Sequence, residues 1–189
     1  MSQLYLFLFG LLQKWFEKKL IKLNETINRI CYRALGKVFA IYQFNSNNLE
    51  HNSIKLWFLE WEKFVQNKKY SLALQLFENE VVSFGTWMDV VEGLDQLKIN
   101  QWENIWPTIS RFKFLTDTLF IQFSPDKLFA NSILTWTSIG YHQDGITFER
   151  SGRATVTLKR SNLNSKWRGI HTHFSLNRGV PQQSFGSFK

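Results

Sequence analysis

The chain has 189 residues, a formal net charge of +8, 44% apolar and 16% aromatic residues, with eight Trp and eighteen Phe. A chain of this length and aromatic content can bury a sizeable core as a single domain with an appendage, and only ten Gly and three Pro exclude collagen-like and low-complexity sequences. The charge is unevenly placed: residues 1–50 sum to +4, residues 51–149 to −4, and residues 150–189, which contain no acid, to +8. An acid-free C-terminal segment is either a solvated sheet face and tail or a basic surface that attracts an anionic ligand or an acidic partner. The single cysteine, Cys31, cannot form an internal disulfide and fits a reducing compartment, so a cytoplasmic location is expected.

The apolar run Leu4 to Leu12 is short, about half the ~20 residues a bilayer span requires. It has neither a preceding basic region nor a following small-residue cleavage site, so no signal peptide is read. From Leu12 onward Phe16, Leu20, Leu23, Ile27, Ile30, Ala34, Val38 and Ile41 recur at intervals of three and four, which predicts one apolar helical stripe. Lys14, Lys18, Lys22, Arg29, Arg33 and Lys37 fall on roughly the opposite face. Residues 1–44 therefore read as a basic amphipathic helical extension, suited to packing on the rest of the domain, to a partner helix, or to a membrane surface. The Asn-rich segment Phe44 to Ser53 reads as polar, with residues 45–52 as a linker.

The second unit is expected from Ser53, a plausible helix cap. Ile54, Trp57, Phe58, Trp61, Phe64 and Val65 form a helical stripe, QNKK breaks it, and a shorter helix carries Leu72, Leu76 and Phe77. Val81 to Gly85 reads as a strand, TWMDVVEG as a loop, and Leu94, Leu97, Trp102 and Ile105 as a third helix ended by Pro107. Five strands follow: Arg111 to Leu115, Thr118 to Phe123, Ser132 to Tyr141, Arg153 to Arg160 and Lys166 to Leu176, separated by turn residues. Helices first and a long antiparallel meander afterwards predict an α+β domain over residues 53–176, with a basic tail at 177–189.

This order, closing on WRGIHTHFS, resembles the nuclear transport factor 2-like superfamily, which includes ketosteroid isomerase, SnoaL-like polyketide cyclases and the association domain of calcium/calmodulin-dependent protein kinase II. Trp167, His171, His173 and Ser175 match its W-x-x-x-H-x-H-x-S last strand, with support from SLALQLFENEVVSFG and EGLDQLKINQW. The resemblance covers about Ser53 to Leu176 and leaves the first fifty residues outside. It implies a cone of three helices against a strongly curved antiparallel sheet, and a homodimer joined through the outer faces of the sheets. It selects no activity, because the superfamily hosts isomerases, cyclases, dehydratases, ligand sensors and assembly domains.

Carried over residue by residue, the isomerase base falls on Gly85 and the oxyanion tyrosine on Trp61. Glycine takes no proton and indole is a different donor, so that reaction is not expected. Asp89 and His173 are the remaining candidates for proton transfer in a lyase, isomerase or cyclase. The pocket arginines of the kinase association domain fall on Thr155 and Phe174, so its anion site is not reproduced. By strand alternation His171, His173 and Ser175 share a face with Trp167, while Ile170, Thr172 and Phe174 share the other, which looks like pocket lining. The histidines then read as hydrogen-bonded members of the sheet and dimer face. A metal would need a further ligand such as His142 or Asp144, and neither metal nor cofactor is expected.

The expected ligand is a small hydrophobic or anionic molecule held by Trp57, Trp61, Trp87, Trp106, Thr135, Thr155, Thr172 and Phe174, in a cavity whose existence the resemblance implies. Nucleic acid is not an expected partner, since no RNP, zinc-finger or helix-turn-helix signature is present.

Overall fold

A computed structural model describes residues 2–187 of the chain; before residue 48 it describes the side chains only in part. The chain divides into two units, residues 1–50 and residues 51–189. Helix α1 runs over Ser2–Gln66. It passes through 45–52, where a linker was expected, so Ser53 lies inside the helix and does not cap it. Phe44 to Ser53 contains neither Pro nor Gly, and Asn lowers helix propensity without ending a helix.

In the first unit Leu20, Leu23, Ile27, Ile30 and Val38 are exposed, as are Lys18, Lys22, Arg29, Arg33 and Lys37. The side chains of Leu12, Lys14, Phe16 and Ile41, which the same stripe and basic face include, lie outside the described residues, as do those of the Leu4 to Leu12 run. No helix among the described residues is long and apolar enough to cross a membrane.

The second unit is built on the C-terminal part of α1. Ile54, Trp57, Phe58, Trp61 and Val65 are all buried, as their helical spacing predicts. α1 ends where QNKK interrupts the stripe. Lys68 takes a left-handed φ of 53°, its N–H reaches the Val65 carbonyl at 3.2 Å, and the Lys69 N–H reaches the Phe64 carbonyl at 2.9 Å. That pairing satisfies the last free carbonyls of the helix in a Schellman arrangement. Helix α2 (Tyr70–Leu74), strand β1 (Phe77–Phe84) and the short β2 (Val91–Glu92) follow. The third helical stretch joins α3 (Leu94–Gln96), a π-helical turn (Leu97–Trp102), α4 (Glu103–Ile105) and a 3₁₀ turn (Trp106–Thr108) that contains Pro107.

Strands β3 (Ser110–Phe123), β4 (Phe129–Tyr141), β5 (Thr147–Lys159) and β6 (Arg168–Leu176) form an antiparallel meander. The two strands expected at 111–115 and 118–123 are one, with its register interrupted between Leu115 and Phe120. The sheet order is β2-β1-β6-β5-β4-β3, and β1 pairs parallel to β6. The sheet is therefore mixed, where a purely antiparallel one was expected. The chain leaves β1 through helices and re-enters at the far edge, and only the meander brings β6 back beside it.

The helices cover the inner face of this sheet. Trp57 meets Phe77 with ring centroids 5.4 Å apart, Phe58 meets Phe114 at 5.0 Å and Trp61 meets Phe174 at 5.4 Å. Burying each such aromatic contributes roughly 1.5–3 kcal/mol. β3 is an edge strand with backbone groups that need partners, and α1 supplies them. The Phe114 N–H donates to Glu62 Oε2 at 2.8 Å, and Gln66 Nε2 donates to the Phe112 carbonyl at 2.7 Å. One turn of helix thus fixes where the concave face lies relative to α1.

Two further departures bear on the site. A bulge in β6 pairs Gly169 with Leu158 and His171 with Thr157, leaving Ile170 as an extra residue. Alternation slips there, so Trp167 is buried in the core and does not share the face of His173, as an uninterrupted strand would require. The C-terminal segment is also fixed to the domain: Ser184 Oγ donates to the Thr108 carbonyl at 2.5 Å and accepts from the Tyr141 N–H at 3.0 Å.

Candidate functional site

Alternation along β4 and β5 decides which side chains face the helices. On β4 the even-numbered residues Ser132, Leu134, Trp136 and Ser138 are buried, and on β5 the even-numbered Arg150, Gly152, Ala154, Val156 and Leu158 are. Between this face and the helices lies a cavity. Its walls are Trp61 and Val65 of α1, Ser83 of β1, Gly85 and Thr86 after it, Gln101, Trp102, Ile105, Trp106 and Ile109 of the third helical stretch and its end, and Phe112, Trp136, Arg150, Thr172 and Phe174 of the sheet. The space open to the centre of a water-sized sphere is about 50 Å³. One water needs about 10–15 Å³ by that measure, so the cavity admits a few waters or the head of a small molecule.

Four residues expected to bind ligand line it: Trp61, Trp106, Thr172 and Phe174. The other four do not. Trp57 lies in the core one turn along α1, in edge contact with Phe58 and Trp61 at 5.1 and 5.3 Å. Trp87 is 45% exposed. Thr135 and Thr155 are odd-numbered and point to the outer face, where they line a shallow depression with Thr118, Arg153, His173 and Ser175. Thr135 Oγ1 lies 3.0 Å from Thr118 Oγ1 there.

Asp89 and His173 are both exposed, and both line an open depression of about 420 Å³ that shares Gly85, Thr86 and Phe174 with the cavity. Gln182 of the C-terminal segment lines it too, donating to the Thr86 carbonyl at 2.6 Å. Phe84 stands edge-on to both imidazoles, 5.1 Å from His171 and 5.6 Å from His173. His171 Nδ1 lies 3.0 Å from the Val82 carbonyl, so that nitrogen carries the proton. Among the described residues no group of three or more His, Cys, Asp or Glu is placed to hold a metal.

The cavity holds chemistry that reading the sequence missed. Arg150 is 1% exposed, its guanidinium carbon lies 5.5 Å from the Trp136 ring centroid, and its Nε and Nη2 have no hydrogen-bond partner. Burial pulls its pKa down from the ordinary guanidinium range to about 10, so it remains a cation at neutral pH. No carboxylate among the described residues pairs with it. Trp61 Nε1 is buried without a partner as well. Ser83 Oγ and Thr172 Oγ1 satisfy each other at 2.7 Å. At Gly85, where the isomerase base falls, a Cβ would overlap the Gln101 side-chain amide, whose Oε1 accepts from the Met88 N–H at 2.9 Å. An amide held in place therefore occupies the room that a base would need.

No family model and no curated protein matches the sequence. Solved structures do match. A nuclear transport factor 2-like superfamily protein from Salmonella enterica aligns with a TM-score of 0.58 at 19% identity, over 72% of this chain and 99% of that one. A candidate scytalone dehydratase from Novosphingobium aromaticivorans aligns with a TM-score of 0.61 at 13% identity, over 76% and 96%. A ketosteroid isomerase-like protein from Erwinia carotovora atroseptica aligns with a TM-score of 0.55 at 13% identity, over 67% and 95%. At these identities the likeness shows the fold alone. The chain has the α+β cone fold of the nuclear transport factor 2-like superfamily, as the last strand and the order of its elements resemble.

Proposed function

We propose that the protein binds a small molecule in the cavity between its helices and the concave face of the sheet. One observation carries this reading: the cavity is walled by the rings of Trp61, Trp102, Trp106, Phe112, Trp136 and Phe174, with a few polar groups set among them. Binding is favoured over catalysis because no lining residue is Asp, Glu or His, so a molecule seated there meets no side-chain base. Asp89 and His173 lie in the adjoining depression and would reach only a part of the molecule that projects out of the cavity.

Native mass spectrometry of the protein purified from its own host tests the reading. A retained small molecule, released on unfolding, is the expected result. Protein free of any such mass, with tryptophan fluorescence unchanged by apolar fragments, overturns it.

The same spectrum tests a homodimer joined through the sheet, for which a dimer mass is the expected result. What supports that assembly is a row of register partners across the outer face: Phe120, Ile133, Thr155, His173 and Phe84. Phe120, Ile133 and Phe84 are 57%, 42% and 39% exposed, an apolar strip for a monomer to leave in water. Residues 1–44, with their exposed apolar and basic side chains, are proposed to attach the protein to an anionic membrane surface. Co-sedimentation with phosphatidylserine vesicles that survives removal of residues 1–50 rejects that role.

A further inference from the structure

The geometry points to a ligand that carries a carboxylate, with Arg150 as the residue that recognises it. This rests on the cavity being a binding site and names the class of molecule it takes.

A buried guanidinium without a partner is costly, because it has lost its hydration and gained neither counter-charge nor acceptor. Arg150 is in that position. It forms part of the cavity wall, and its Nε and Nη2 donate to nothing. Its own strand does not relieve it: Ser138 Oγ donates at 3.1 Å to the Arg150 backbone carbonyl and leaves the side chain alone. Two other arginines of the meander, Arg153 and Arg168, have ordinary uses. Arg153 donates to Ser175 Oγ and the Leu176 carbonyl at 3.2 and 3.3 Å, and Arg168 donates to the Phe77 carbonyl at 3.0 Å. Among the described residues only Trp136 partly offsets the Arg150 charge, through its ring face.

The rest of the wall selects the kind of anion. One cation among aromatic rings balances one negative charge; a phosphate monoester would bring a second, uncompensated one into a low-dielectric site. The planar fork of Arg matches a carboxylate with two parallel hydrogen bonds. The small enclosed volume suits an acid head, and the walls shared at Gly85, Thr86 and Phe174 give a longer body a route into the adjoining depression.

The test compares acids with their neutral isosteres on the full-length protein: isobutyrate against isobutyramide, and benzoate against benzamide, by thermal shift and calorimetry at pH 7. The acids are expected to bind at least tenfold more tightly than the amides. Arg150→Met is expected to erase that preference while still taking the amides. Equal affinity of wild type for acid and amide overturns the inference and leaves the cavity reading standing, with buried water then satisfying Arg150. Failure of wild type to bind either member of either pair overturns both. The comparison within wild type does not depend on the variant folding.

Discussion

Arg150 and Trp136 face the same cavity from neighbouring strands, guanidinium over indole at 5.5 Å, and this contact is the only described interaction that offsets the buried charge. A cation–π contact of this kind contributes about 0.5–2 kcal/mol. Desolvating an unpaired cation costs several. In the absence of ligand, Arg150→Met should therefore stabilise the fold, by about 1–4 kcal/mol, read as a higher urea midpoint at unchanged slope. A loss of stability would mean that the guanidinium has a partner in solution.

The same residue sets a pH dependence. Its pKa is pulled down to about 10 in the folded protein, below the ordinary guanidinium range, because burial disfavours the charged form. Above pH 10 and below that ordinary range the unfolded chain binds the proton and the native one does not, so stability contributed through Arg150 rises with pH. The penalty is full below pH 10 and is relieved as the side chain loses its proton. The stability gap between Arg150→Met and wild type should thus be constant from pH 7 to 9 and narrow above pH 10. Denaturation curves of both proteins across that range check it, and the titrations the two share cancel in the difference.

The Gly85 and Gln101 pair makes a third prediction. A Cβ at residue 85 overlaps the Gln101 amide, so Gly85→Ala should cost about 1–3 kcal/mol through overpacking. Gln101→Ala loses the acceptor for the Met88 N–H, a change of about 1 kcal/mol. The double variant should be more stable than the sum of the two, since the second change removes the clash created by the first. Additive losses in a thermal double-mutant cycle would show that Gln101 swings aside without cost.

How much of this was legible depended on parity. The stripe from Ile54 to Val65 fixed the buried face of α1 because helical spacing leaves one solution, and the alternation of Thr172 and Phe174 put them on the inner face. Thr135 and Thr155 lie outside the cavity because residue type alone does not say which face a threonine takes; counting back by twos from buried Val156 puts Thr155 on the outer face. The same count, carried on to 150, reaches Arg150, which lies before the strand expected from Arg153 and inside the observed β5. The slip at Ile170 and the helix through 45–52 had no sequence signal strong enough to read: a bulge leaves no fixed residue pattern, and an Asn-rich stretch without Pro or Gly follows whatever helix flanks it.

Ile133 sits in the middle of the outer row, paired with Phe120 on one side and Thr155 on the other. Ile133→Glu would bury two like charges opposite or beside each other in a symmetric face while leaving the inner core untouched. The proposed dimer should dissociate at micromolar protein concentration, with stability of the fold changed by only about 0.5 kcal/mol. Native mass spectrometry and size-exclusion chromatography distinguish the outcomes, and a variant that remains dimeric would remove this face from consideration.

Ser83 and Thr172 are register partners on β1 and β6, both buried, and their hydroxyls meet at 2.7 Å in the cavity wall. Each satisfies the other, so removing one strands its partner. Ser83→Ala and Thr172→Val should each cost about 1–3 kcal/mol. The double variant keeps nearly the same shape and leaves neither hydroxyl behind, so it should recover most of that loss. The recovered double variant then separates packing from recognition. Its cavity is less polar by two hydroxyls but keeps Arg150, so the preference for acid over amide should persist in it. Loss of that preference with Arg150 intact would place acid recognition at the hydroxyl pair.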